Sequence, residues 1–233
     1  MLKIYGVPFS AHTRKVIIVA LEKNISYDLE PVIPLDPPKG WEKLSPTGLI
    51  PAIEDGPVTL ADSSVISLYL EKKYPSVPFY PASAEAYGQA LWIEEYVDGA
   101  MAKNVLKGVL MPKIFGPKFL NLPVDEALVD KSINELIPPQ LDYLESQLTG
   151  TWFAGDNFSI ADVAVASILI NYAYASEGPD EVRHPKLVDF LHRALNRESF
   201  REAFKTEIPA ASQIGELDLS LYRKVGYKTF AGV

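Results

Sequence analysis

Three short stretches carry side chains whose type and spacing could do chemistry. The first is Pro8-Phe9-Ser10-Ala11-His12-Thr13-Arg14. Ser10 stands just ahead of an apolar-periodic segment, so its hydroxyl reads either as a helix N-cap or as a catalytic hydroxyl. His12 invites a Ser-His reading, but two residues apart at a helix start is poor geometry for a base. There is no G-x-S-x-G elbow, and a hydrolase triad is disfavoured. The second is Leu49-Ile50-Pro51-Ala52-Ile53. A proline opening a strand fits a first or edge position in trans. In cis it would turn the Ile50 backbone N–H and C=O outward to pair with a peptide-like ligand as an added strand. The third is Asp62-Ser63-Ser64-Val65-Ile66, a helix start directly after a strand. Its unpaired N–H groups and partial positive charge suit a carboxylate, and Asp62 could accept an ammonium group. Together they would hold an α-amino acid zwitterion; alternatively, Asp62 or Ser63 only caps the helix.

Several other chemistries are excluded. The chain has no cysteine, which removes a disulfide framework, a thiolate metal site and a catalytic thiol. His184 and His192 read as a helix start and a surface or satisfied position, no metal-ligand spacing occurs, and no glycine-rich phosphate loop is present. Thirty acidic against 22 basic residues give a net charge of −8, which argues against nucleic acid and anionic membrane surfaces as partners. No run of about 18 apolar residues occurs and the start does not read as a signal peptide, so a cytoplasmic protein is expected.

These residues need elements to position them. With 233 residues, 48% of them hydrophobic and 22% charged, the chain can bury a sizeable core. Residues 2–6 and 27–32 read as strands around a helix at 13–23 with Val16, Ile17, Ala20 and Leu21 on one stripe. Residues 34–40 are a proline-rich loop. Strands at 51–53 and 58–60 flank Glu54-Asp55-Gly56-Pro57, a hairpin signal, and a helix follows at 62–74. Residues 75–82 carry three prolines and read as a linker. Beyond it only helices are expected, at 84–110, 125–148 with an interruption at Pro138-Pro139, 159–174, 186–195 and 198–204. The tail from Glu207 has no assignment. Phe158-Ser159-Ile160-Ala161-Asp162-Val163 is a capping box with a hydrophobic staple, a structural motif in which Asp162 has no catalytic part. The expected organisation is α/β plus all-α, with an α/β domain at 1–80 and an all-helical domain at 81–233.

In this order the motifs resemble those of cytosolic glutathione transferases, over essentially the whole chain. The Tyr5–Arg14 stretch looks like the start of the serine-type classes, theta and phi, in which the catalytic serine stands four residues before the arginine, as Ser10 stands before Arg14. Gly48-Leu-Ile50-Pro51 resembles the cis-proline segment, Asp62-Ser63-Ser-Val-Ile66 the Glu-Ser-x-Ala-Ile motif with Asp in place of Glu, and Ser159-Ile-Ala-Asp162 the folding box. Leu49 stands where some classes carry glutamine or lysine. The resemblance implies a thioredoxin-like N-terminal domain that binds glutathione and a helical-bundle C-terminal domain that forms the electrophile pocket. Glutathione is then the co-substrate, with no metal. By this mapping Ile50, preceding Pro51, pairs with the cysteinyl unit, Asp62 and Ser63 hold the γ-glutamyl end, and Lys39 takes the glycine carboxylate. Ser10 stabilises the thiolate, and Phe9, His12, Met101, Met111 and Phe115 wall the pocket for a small hydrophobic electrophile. Homodimerisation is implied as well. Peroxide reduction is compatible with Ser10, a tyrosine-type role for Tyr5 is the minor variant, and a non-catalytic ligand-binding or interaction protein is the alternative.

Overall fold

The computed structural model describes residues 1–227; residues 228–233, the end of the expected helical domain, lie outside the described residues. Four short strands form one sheet, β1 (Leu2–Tyr5), β2 (Tyr27–Glu30), β3 (Ala52–Asp55) and β4 (Val58–Ala61), in the order β2-β1-β3-β4. β1 and β2 are parallel, joined through α1 (Ala11–Glu22), while β3 runs antiparallel to both β1 and β4. Tyr5 pairs with Ala52, and Ala52 with Ala61. The end of β1, the beginning of β3 and the end of β4 therefore meet at one end of the sheet. This register gathers the three chemical motifs, since each lies just beyond one of these residues.

Alternation sorts the sheet residues between two cores. Leu2, Ile4 and Ile53 pack with α1 and α3 (Ser63–Lys73), and Ala52 packs on the other face with Val32 and Trp41. Trp41 opens α2 (Trp41–Leu44), a single turn too short to leave a periodic signal, and its ring N–H donates to the Gly48 carbonyl at 3.2 Å.

From Ala84 onward the regular elements are helical. The expected helix at 84–110 is longer: α4 (Ala84–Glu95) passes through wider turns into α5 (Gly116–Leu120). In those turns Ala102 N–H reaches the Val97 carbonyl and Gly116 N–H the Met111 carbonyl, five residues back, around Pro112, which has no N–H to give. The proline pair acts as expected. α6 (Glu126–Lys131) widens so that Ile137 N–H meets the Ser132 carbonyl at 2.9 Å, and α7 (Pro138–Gln147) restarts at the prolines. Gly108 lets these segments touch, because a Cβ there would stand 2.3 Å from Ser132 Oγ.

α8 (Ile160–Ala173) is buried along its whole length and forms the centre. Its start is the expected capping box: Asp162 accepts from Ser159 N–H at 2.8 Å, Ser159 Oγ at 3.0 Å and, from a separate loop, Phe153 N–H at 2.9 Å. Burial pushes the Asp162 pKa up to about 6 against these hydrogen bonds. α9 (Pro185–Leu195) follows, then α10 (Glu198–Ser212), which extends past the expected end at 204 because Pro209 lies on the exposed side, where water can take the freed carbonyl. α11 (Ser220–Lys224) lies in the tail and buries Tyr222.

Candidate active site

α1 is the element that carries the site. The sequence suggests an amphipathic stripe, yet Val16 through Ala20 are all buried, and so are Thr13, Arg14 and Lys15. The helix lies between the sheet with α3 on one side and α8 with α10 on the other, so it has little solvent face. Its N-terminus is set by the turn after β1, where Gly6 holds a φ of +152° and packs so closely on Thr13 that a Cβ would stand 2.4 Å from Thr13 Oγ1. Ser10 is half-buried and caps the helix, its Oγ accepting a long 3.5 Å bond from Thr13 N–H. Among the described residues the Ser10 hydroxyl proton has no acceptor. The two readings of Ser10 are therefore compatible, because the cap uses a lone pair and leaves the donor free.

The Ile50-Pro51 bond is cis. Among the described residues the Ile50 N–H has no acceptor. Asp62 follows β4 with a φ of +88°, in the left-handed region where a non-glycine residue costs about 1–3 kcal/mol. In that conformation its Oδ1 accepts from Ser64 N–H at 3.0 Å and Val65 N–H at 3.1 Å, so Asp62 does cap α3. Its other oxygen stays unpaired among the described residues, beside the buried first residue of the helix, Ser63. Lys39 is exposed on the loop after β2 and makes no hydrogen bond or ion pair to the other candidate residues.

Of the expected pocket residues, Phe9 meets Phe115 with ring centroids 6.4 Å apart, and Phe115 meets Phe119 at 6.3 Å. His12 turns Nδ1 toward Asp98 Oδ1 at 3.6 Å. Met111 is half-buried. Met101, in the wide turns after α4, is fully enclosed in the core and presents no surface to a ligand. Tyr5 donates its hydroxyl to Glu54, and that bond, then burial, pushes its pKa up to about 12. The tyrosine-type variant is thus poorly served, since its hydroxyl is already committed.

Sequence reasoning missed two buried charge clusters that flank Ser10. Arg14 is wholly buried: Nε donates to Glu207 Oε2 at 2.8 Å, Nη1 to the Ser167 carbonyl at 2.7 Å and Asn171 Oδ1 at 3.0 Å, and Nη2 to Phe9 carbonyl, Tyr174 and Glu207. Burial opposes its charge, but Glu207 outweighs this and holds its pKa above the ordinary value. Lys15, also buried, donates to Glu94 at 2.8 Å, Ser64 at 3.0 Å and Asp98. Burial works against the Asp98 carboxylate, yet Lys15 and His12 hold its pKa well below the usual carboxylate range, whereas burial raises that of Glu94. The available signal was two adjacent cations at the head of an apolar helix, which one sequence cannot distinguish from a solvated turn.

Among the described residues no group of three or more histidine, aspartate or glutamate side chains could hold a metal ion, and no helix is long and apolar enough to cross a membrane. A four-stranded sheet with two helices on one face, continued by a helical bundle, with a serine at the head of α1 and a cis-proline before β3, defines a thioredoxin-like domain joined to an all-helical one. The family description "Glutathione S-transferase, N-terminal domain" matches residues 4–78 and "Glutathione S-transferase, C-terminal domain" residues 106–198. Glutathione S-transferase 3 of Zea mays is 31% identical over 170 residues, covering 69% of this chain and 73% of that protein. Glutathione S-transferase F11 of Arabidopsis thaliana is 30% identical over 174 residues, covering 70% and 78%. The crystal structure of a glutathione S-transferase from Sinorhizobium meliloti 1021 has the same fold, with a TM-score of 0.84 at 21% identity over 97% of this chain and 99% of that one. The chain belongs to the glutathione S-transferase family.

Proposed function

We propose that this glutathione transferase works by serine-type chemistry, with Ser10 as the catalytic hydrogen-bond donor. A free thiol titrates near ~8.5, and only its thiolate attacks electrophiles. Hydrogen bonding to the charged form and the positive end of a helix both lower that pKa. Ser10 supplies the first through its free hydroxyl proton and α1 supplies the second. The serine is not itself the nucleophile. Glutathione lies along residues 1–80, its cysteinyl backbone pairs with Ile50 before Pro51, and its γ-glutamyl ammonium and carboxylate meet Asp62 and the amide end of α3 at Ser63. Lys39 is the candidate for the glycine carboxylate. Phe9, His12, Met111 and Phe115 wall the space for a small hydrophobic electrophile toward residues 81–233. The thiolate sulfur bonds to the electrophilic carbon as the leaving group departs, or as a π bond breaks and its far carbon takes a proton. With a hydroperoxide the sulfur takes the outer oxygen as the O–O bond breaks and the alcohol leaves, and a second glutathione then forms the disulfide and releases water. A cytoplasmic homodimer fits this reading, with exposed Val65 and Leu68 on α3 and Trp92 on α4 as candidate contact residues.

The observation that carries the reading is the register of Tyr5, Ala52 and Ala61, which sets Ser10, Ile50-Pro51 and Asp62-Ser63 at one sheet end. The test is thiolate ultraviolet absorbance on adding glutathione, for wild type and Ser10→Ala. Wild type is expected to show thiolate at neutral pH and the variant to lose most of it, with kcat down roughly 10²–10³-fold, the scale of losing one donor to a developing anion. Tight binding without thiolate in either protein would favour a ligand carrier.

A further inference from the structure

We propose that Arg14 is a positioning residue for Ser10, set in place by two residues from the other end of the chain, Glu207 of α10 and Tyr222 of α11. The inference rests on the reading of Ser10 as the donor to the thiolate. Arg14 holds the Ser10 turn at two points: its backbone N–H closes the first turn on the Ser10 carbonyl at 2.8 Å, and its guanidinium Nη2 donates to the Phe9 carbonyl at 3.3 Å. The guanidinium is a rigid planar fork, so wherever its other end is fixed, the Phe9–Ser10 peptide follows. That other end is fixed by Glu207, which grips Nε and Nη2.

Glu207 is in turn held by the tail. Tyr222 donates to Glu207 Oε1 at 2.6 Å, Tyr174 donates to the same oxygen, and the two phenols meet at 2.8 Å. Arg14, Glu207 and Tyr222 have no exposed surface, and the Tyr222 ring packs edge-on against Phe204 with centroids 4.8 Å apart. Water therefore cannot replace a lost partner easily, and a shift at Glu207 passes along the fork. The hydrogen bond that matters at the sulfur weakens steeply with distance and angle, so a small displacement of Ser10 is read as a change in thiol pKa. A merely structural network would lower stability and leave that pKa alone.

The experiment compares wild type, Ser10→Ala, Tyr222→Phe and Arg14→Lys, measuring the pKa of bound glutathione from thiolate absorbance against pH, with kcat and KM for one aryl halide. Tyr222→Phe keeps the ring and removes two hydroxyl contacts. It is expected to raise the bound-thiol pKa by about half a unit and to lower kcat roughly threefold below that pKa, with the glutathione KM within about twofold of wild type. Arg14→Lys, which loses the fork, is expected to move the pKa further in the same direction. If Arg14→Lys does not fold, Tyr222→Phe decides the matter alone. A Tyr222→Phe protein with a lowered melting temperature but wild-type thiol pKa and kcat overturns the inference. If Ser10→Ala retains the thiolate, or wild type never forms it, the Ser10 reading fails and this inference fails with it. Loss of thiolate in Ser10→Ala beside an unchanged Tyr222→Phe removes the positioning role only.

Discussion

Replacing Lys15 by methionine should produce a stability defect that grows with pH. The Lys15 side chain is 1% exposed and faces the Glu94 side chain, 0% exposed, and the Asp98 side chain, 16% exposed. Methionine nearly matches its volume, so the cavity contribution is small and the effect is electrostatic. Removing one partner of a buried pair costs about 3–5 kcal/mol, because it leaves charge without compensation. In wild type Asp98 is held below its ordinary pKa, so it contributes stability above its unfolded pKa near ~4, and this is lost as pH falls through the folded value. Without the cation most of that contribution disappears: His12 Nδ1, 3.6 Å away, is left to favour the Asp98 carboxylate, and burial then pushes its folded pKa upward as it does that of Glu94. A carboxyl with a raised folded pKa costs nothing while protonated and destabilises increasingly as pH rises through that value. The Lys15→Met deficit should therefore be smallest at the acid limit, below the folded Asp98 value, and be appreciable already near pH ~4, where wild type still holds most of the Asp98 contribution. It should reach its full size near neutrality, where it lowers the melting temperature by roughly 6–20 °C at about 2–4 °C per kcal/mol for a chain of this size. Urea denaturation of both proteins from acid to neutral pH measures this directly. Adding Asp98→Asn to Lys15→Met should restore part of the loss. A deficit of equal size across that range, or no recovery in the double variant, would refute the reasoning that two buried carboxylates share this lysine.

Asp62→Asn keeps the cap of α3 and removes only the charge, so the melting temperature should stay within a few degrees while the glutathione KM rises about tenfold, the weight of one charge-assisted hydrogen bond; steady-state kinetics against thermal melts separates the two. Asp162→Ala strands Phe153 N–H, Ser159 N–H and Ser159 Oγ inside the bundle. It should cost about 3–5 kcal/mol, with a sharply reduced yield of folded protein, read by chemical denaturation and refolding recovery.

Much of the scaffold was legible because it is written in local chemistry. The hairpin around Gly56-Pro57, the break at Pro138-Pro139 and the capping box at Ser159 depend on backbone angles and nearby donors, which residue type controls within a few positions. The apolar run of α8 announced a helix buried on all sides. Lengths were less legible. α10 outruns its proline because that residue faces solvent, and the extension beyond residue 110 relies on wide turns that no apolar period encodes.

The candidate site divides along the same line. Sequence by itself determined that Ser10 and Asp62 would head helices, because a short polar side chain before an apolar period offers its oxygen to the first free amides. It left the Ile50-Pro51 isomer open, and it set Met101 in a pocket wall when the packed helices enclose it. Only the tertiary structure decided that Tyr5, Ala52 and Ala61 stand in register, and that Arg14 and Lys15 are buried against Glu207, Glu94 and Asp98. The partners of those two cations lie 193, 79 and 83 positions away along the chain. A buried charge is tolerable only where its counter-charge arrives, and that meeting is made by helices packing on both sides of α1, not by any neighbour in sequence.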